Sequence, residues 1–283
     1  MNYKPIIIIG APRSGTNMLR DCLVSINGFS TWPCDEINYI WRYGNRSFSS
    51  DELLIENITN KNLNYIRGQF NNLHRKTKSN FIIEKTCANS LRVPFVNEIL
   101  PEAKYIYIIR NGYDVVGSAK LRWTAKLDIP YIFKKIRYVP FNDLFYYASR
   151  YIYTRTYKIF SKEKRVAYWG PKIKDLKHFL LEYSLDELCA LQWKRCVDLS
   201  DNAFHKLPKD KVYHLKYEEF VDNPYEILKQ ILEFLSYDID QDEIKEAVKS
   251  ISNSSVGKGR SNLSESQEIV LNKIFGDVME RHY

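Results

Sequence analysis

A chain of 283 residues that is 45% hydrophobic and 14% aromatic carries enough apolar side chain to bury one large core. Modest glycine and proline contents, 11 and 10 residues, without a long low-complexity stretch exclude a disordered protein. A formal charge of +8 calls for an anionic partner, and since no RNA- or DNA-binding signature interleaves with the basic residues, a nucleotide, an acidic glycan or a membrane surface is expected rather than nucleic acid.

In chain order, Ile6 to Ile9 form a fully apolar, β-branched run, the composition of a central parallel strand buried on both faces. This run is too short for a secretory segment or a membrane span, so the fold is expected to start at once, in the cytoplasm, with at most peripheral contact to a membrane. Gly10 to Gly15 make a turn, and Thr16 to Ile26 place apolar residues at helical spacing before Gly28 stops the helix. A polar, helix-rich stretch from about Asp51 to Lys78 precedes a second strand at Phe81 to Glu84 and a third at Lys104 to Ile109. A fourth strand, Val212 to Leu215, leads to a helix around Tyr225 to Leu235 that opens with Asn223 and Pro224. Strands alternating with helices predict an α/β fold with a mainly parallel sheet and right-handed crossovers.

Residues 131 to 169 are different in kind, being crowded with aromatics among nine cations and only two anions. The segment 124–185 is therefore expected to be a helical, aromatic and basic insertion within one domain spanning 1–283. Five cysteines (Cys22, Cys34, Cys87, Cys189, Cys196), widely spaced and odd in number, fit a reduced compartment and no metal site.

The strand, then Gly10-Ala11-Pro12-Arg13-Ser14-Gly15-Thr16-Asn17, then helix, is the arrangement in which loop N–H groups and a helix N-terminus cradle an anion. Its glycine spacing matches that of a P-loop, but Thr16 stands where a kinase or ATPase has the lysine that reaches the outer phosphates. Without it a triphosphate–magnesium site is hard to build, and a ligand with a short 5′ anion chain fits better, with Arg13 offering a planar cation to an oxyanion. A second anion site is suggested by Arg110 at the end of the third strand, with Ser118 eight residues on in the following helix. Ligands of open α/β sheets bind at that edge.

The segment Pro12 to Asn17 after an apolar strand resembles the 5′-phosphosulfate loop of the sulfotransferases that use 3′-phosphoadenosine 5′-phosphosulfate (PAPS), especially the tyrosylprotein-like and bacterial branch, with Asn17 in place of the usual final Thr. The resemblance implies a P-loop NTPase-like three-layer α/β/α fold with a central mainly parallel sheet and helical insertions. It also implies PAPS as donor, adenosine 3′,5′-bisphosphate as product, and no required metal. Arg110-Asn111-Gly112-Tyr113-Asp114-Val115-Val116-Gly117-Ser118 is similar to the family's 3′-phosphate element, so Arg110 and Ser118 are expected on that phosphate. Gly257-Lys258-Gly259-Arg260 resembles the loop that closes over it, which brings in Lys258, Gly259 and Arg260. Tyr217, in Lys216-Tyr217-Glu218, matches a tyrosine near the adenine. These blocks follow the family's order along the whole chain.

Sulfonate transfer by in-line displacement needs an aligned acceptor, a base, and cations on the sulfonate and leaving-group oxygens. Arg13 is placed to supply one cation. Lys85, in Glu84-Lys85-Thr86, resembles the lysine of the family's Glu-Lys-Thr-Pro block and supplies another. Cys87 stands where cytosolic relatives carry a catalytic histidine, which excludes that base. Glu36, in Pro33-Cys34-Asp35-Glu36, resembles the acidic base of the tyrosylprotein-like branch; Asp35 and Glu84 stay open as rivals.

The expected acceptor is a hydroxyl (or amine) on a glycan or glycolipid, met by residues 131–169, whose rings can stack on sugars and whose cations can hold carboxylates or a membrane surface. A helical layer with a solvated basic face reads equally well there. The rival functions are a P-loop nucleotide kinase or nucleotidase, and a catalytically silent adenine-nucleotide-binding protein.

Overall fold

The computed structural model describes residues 2–124, 139, 143–160, 168–238 and 240–283. Five strands, β1 (Lys4–Ile9), β2 (Phe29–Ser30), β3 (Phe81–Lys85), β4 (Lys104–Ile109) and β5 (Val212–Lys216), form one sheet in the order β2-β3-β1-β4-β5. Every pairing is parallel. The helices between them are α1 (Thr16–Val24), α2 (Asn38–Trp41), α3 (Asn60–Thr77), α4 (Val93–Ile99), α5 (Gly112–Trp123), α6 (Leu144–Phe160), α7 (Leu176–Glu182), α8 (Leu185–Phe204), α9 (Tyr217–Asp222), α10 (Pro224–Phe234), α11 (Gln241–Val248) and α12 (Glu265–His282).

The four isoleucines of β1 are all fully buried and alternate between two cores, as the pleat requires. Ile6 and Ile8 join Ile106, Ile108 and Leu215 under α1, α9 and α10. Ile7 and Ile9 join Tyr105, Tyr107 and Ile109 under α5, α8 and α12. Each such side chain contributes about 1.5–3 kcal/mol, so the sheet is held from both faces and the three-layer expectation is met.

The differences from the sequence reading are local. Helix α1 ends at Val24, and Gly28 follows it in the left-handed region (φ 84) after a further turn. Strand β2 has only two residues and adds to β3 at the sheet edge, too little for an alternation pattern to reveal. Part of the segment 124–185, including 131–138, 140–142 and 161–167, lies outside the described residues; α6 and α7 belong to what is described.

Because the strands are parallel, the residues that follow β1, β3, β4 and β5 all emerge at one edge of the sheet. Gly10, Thr86, Arg110 and Tyr217 are those residues. Behind that edge sits a buried ionic cluster. Asp51 accepts from Arg42 at 2.6 Å and from the Lys172 amide at 2.8 Å, and lies 3.7 Å from Arg92. Burial alone would raise the Asp51 carboxyl, but Arg42 and Arg92 prevail and hold it below the usual carboxylate range. Arg92 in turn bonds Asn89, which donates to Glu84 at 2.8 Å.

Glu84 is fully buried, and burial pushes its carboxyl up to about 7 from the ordinary 4.5 against the pull of Thr86, Trp41 and Arg92. The folded protein therefore keeps a proton that the unfolded chain releases. The stability linked to it is complete below about pH 4.5 and is lost as pH rises through about 7. Glu84→Gln should remove this dependence, so that its unfolding free energy, and with it the thermal midpoint, gains on the wild type between about pH 5 and about pH 8, by ~3 kcal/mol at most. Parallel midpoints across that range would contradict the assignment.

Candidate active site

The loop after β1 begins when Ser14 N–H closes back on the Ala11 carbonyl at 3.2 Å. Arg13 is held at φ 70, a left-handed conformation that costs a non-glycine residue of order 1 kcal/mol and recurs at functional sites. Gly15, at φ 85, closes the turn; a Cβ there would lie 2.4 Å from the Tyr217 ring. Only glycine fits. Gly15 is also the N-cap of α1 and has no side chain with which to cap it. The first N–H groups of the helix, from Thr16 onward, keep their partial positive charge for a ligand.

Arg110 and Ser118 lie against this loop. The Arg13 Nε donates to Ser118 Oγ at 2.9 Å, and Arg110 Nη1 donates to the Arg13 carbonyl at 3.2 Å. Arg110 Nη2 bonds the Ser255 carbonyl at 2.6 Å, and its guanidinium stacks on Tyr217, 4.3 Å from the ring centroid. The Tyr217 hydroxyl shares a 2.8 Å hydrogen bond with Ser255 Oγ. Burial, then Arg122 and Arg110 beside it, hold the Arg13 guanidinium below its ordinary value, as expected where cations gather. Among the described residues, Ser14 Oγ, Asn17 Oδ1 and Arg110 Nε are buried without a hydrogen-bond partner. Each such atom costs about 1–3 kcal/mol, so this edge keeps unsatisfied polar groups within its loop.

The end of β3 forms the other side. Lys85 Nζ lies 3.2 Å from Glu36 Oε1 and 3.7 Å from Asp35 Oδ1. The Cys87 amide donates to the same Glu36 oxygen at 3.4 Å, and Cys87 Sγ lies 3.7 Å from Thr16 Oγ1, which joins this cluster to the loop. Burial works against the charge of Lys85, but Glu36, with Asp35 behind it, outweighs it and holds the ammonium above its usual range. Burial, followed by Glu36, keeps the Cys87 thiol well above its ordinary value, so it stays protonated.

Gly10, Pro12, Arg13, Ser14, Gly15, Thr16, Asn17, Arg110, Ser118 and Tyr217 thus meet at one edge, with Lys85 and Glu36 beside them. Of the rival acids, Glu84 is fully buried and turned to Asn89, while Asp35 is engaged by Arg20 at 2.9 Å. Gly259 packs beside Asp114, and Lys258 is exposed. Arg260 is turned away, bonded to Glu268 at 2.8 Å and lying over Tyr113. Sequence reasoning passed over Ser255, and Arg122, one helical turn beyond Ser118 on the same face of α5.

Residues 5–165 and 150–241 match the family model described as the Sulfotransferase family. The chain belongs to the sulfotransferase family. Solved structures similar to this sulfotransferase include the sulfotransferase domain from the curacin biosynthetic pathway, at 13% identity and TM-score 0.56 over 96% of each chain. Sulfotransferase STF9 from Mycobacterium avium is similar at 12% identity and TM-score 0.57, over 99% of this chain and 77% of that one. Mouse sulfotransferase SULT7A1, complexed with PAP, is similar at 16% identity and TM-score 0.52, over 99% of this chain and 85% of that one. At such identities these likenesses establish the shared fold. No curated protein matches the chain significantly in sequence.

Because Gly15 combines a positive φ with contact to Tyr217, Gly15→Ala in this sulfotransferase should lose roughly 1–3 kcal/mol of stability and its nucleotide affinity. In denaturant titrations the double variant with Tyr217→Ala should lose less than the sum of the two single losses, since the clash disappears with the ring. An unchanged Gly15→Ala midpoint would refute the contact.

Proposed function

We propose that this enzyme moves the sulfonate of PAPS to a hydroxyl (or amine) of a glycan or glycolipid acceptor by in-line displacement. The observation that carries the donor site is the meeting of two anion-binding elements about a hundred residues apart, through Arg13 to Ser118 at 2.9 Å and Arg110 to Arg13 at 3.2 Å. In this reading the loop amides and Ser14 hold the 5′-phosphosulfate, and Arg110 and Ser118 hold the 3′-phosphate. Thr16, where a triphosphate-using P-loop has lysine, argues against the kinase reading.

The transfer forms one bond from the acceptor oxygen to sulfur and breaks the bond from sulfur to the bridging oxygen. The electron pair leaves on adenosine 3′,5′-bisphosphate, and the acceptor proton goes to the Glu36 carboxylate. Lys85, held charged at the end of β3, steadies the charge on the transferring and departing oxygens, with Arg13 on the other side of the loop. The shared contact of Lys85 with Glu36 keeps cation and base within one hydrogen bond of each other.

The aromatic and basic composition of 131–169 supports an acceptor side within the insertion 124–185 of a single domain. On α6, Phe145, Ile152 and Tyr153 stand 86%, 63% and 60% exposed, which suits stacking on sugars or contact with a glycolipid-bearing surface. Among the described residues no helix is long and apolar enough to cross a membrane.

With labelled PAPS and a panel of glycan acceptors, Lys85→Ala and Glu36→Gln should each lower kcat by roughly 100-fold or more. Both should still bind adenosine 3′,5′-bisphosphate. Wild-type turnover in Glu36→Gln would move the base to another group, and transfer to no glycan but to a tyrosyl peptide would overturn the acceptor reading.

A further inference from the structure

Asp114 lies in the first turn of α5, four residues after Arg110, and is 2% exposed. Its carboxylate is surrounded by backbone donors from a distant part of the chain. Oδ2 accepts from the Gly257 amide at 2.7 Å, and Oδ1 accepts from the amides of Gly259 at 2.8 Å and Arg260 at 3.2 Å. On its other side Oδ2 lies 3.7 Å from Arg110 Nη2. The backbones are in contact as well: a Cβ on Gly259 would fall 2.4 Å from the Asp114 Cα, and a Cβ on Gly117 would fall 2.8 Å from the Gly259 Cα.

We infer that Asp114 is the positioning residue of the 3′-phosphate subsite: its carboxylate ties the loop 257–260 to α5 and braces Arg110, so that both walls of the subsite are set before the nucleotide arrives. This rests on the donor-site reading above and deepens it. A carboxylate beside a phosphate site would repel the ligand if its charge were loose. Here three N–H groups and a guanidinium take up that charge, leaving the remaining guanidinium donors of Arg110 and the Ser118 hydroxyl for the phosphate.

The tether also decides what the loop can offer. Its amides at 257, 259 and 260 are committed to Asp114, and the Arg260 side chain is committed to Glu268. Lys258, which is exposed, is left as the loop's cation for the ligand.

The test is titration calorimetry of adenosine 3′,5′-bisphosphate and of AMP, which lacks the 3′-phosphate, against the wild type, Asp114→Asn and Gly259→Ala. Gly259→Ala leaves the carboxylate intact but pushes the loop off it, and so covers the case in which Asp114→Asn fails to fold. Both variants should lose about tenfold or more in affinity for the bisphosphate and keep AMP affinity within about twofold, since charge-assisted hydrogen bonds of this kind are the strong ones. Amide exchange at Gly257, Gly259 and Arg260 should quicken in parallel. Equal losses for both nucleotides, or unchanged bisphosphate affinity with quickened exchange, would overturn the inference. A wild type that does not prefer the bisphosphate over AMP would instead overturn the donor-site reading, and the exchange rates alone would then decide whether Asp114 holds the loop.

Discussion

The site depends on keeping cations close together at one edge of the sheet without a neutralising carboxylate for each. Arg13, Arg110 and Arg122 gather where β1 and β4 end, and the carboxylate beside Arg110, Asp114, is already surrounded by backbone donors. Parallel pairing makes this possible, because it brings the end of every strand to the same side and lets loops distant in sequence share one surface. The two apolar cores oppose the mutual repulsion of the cations by fixing the strands from both faces.

The two halves of the site have different electrostatic characters. Around Arg110 there are two guanidiniums, Arg13 and Arg110, and a buried Nε without a hydrogen-bond partner, so positive charge is in excess. Around Lys85 the cation is already paired with Glu36, and charge is balanced within the protein. That division suits a transfer enzyme: one end holds the nucleotide, and the other can redistribute a proton and a developing charge.

Much of this was legible in the residues. The four isoleucines of β1, the apolar run of β4 and the glycine spacing between them are strong local signals, and they predicted both the layers and the loop. Strand β2 was not legible, because two residues carry no period and its place comes from pairing with β3. Side-chain partners were hidden for the same kind of reason. Arg260 is paired with Glu268 and Asp35 with Arg20, partners that neither residue's place in the chain announces. Asp114, four residues from Arg110 in the first turn of a helix, looks in sequence like an ordinary dipole-complementing acid. Only the fold brings the amides of 257–260 to it.

In the proposed reading, the loop after β1 and the Arg110–Ser118 element form a single nucleotide site. A crystal structure with adenosine 3′,5′-bisphosphate tests it most directly. The 5′-phosphate is expected on the amides of residues 13–17 and the 3′-phosphate on Arg110 and Ser118. A nucleotide bound elsewhere, or bound at this edge with its two phosphates exchanged, would contradict it.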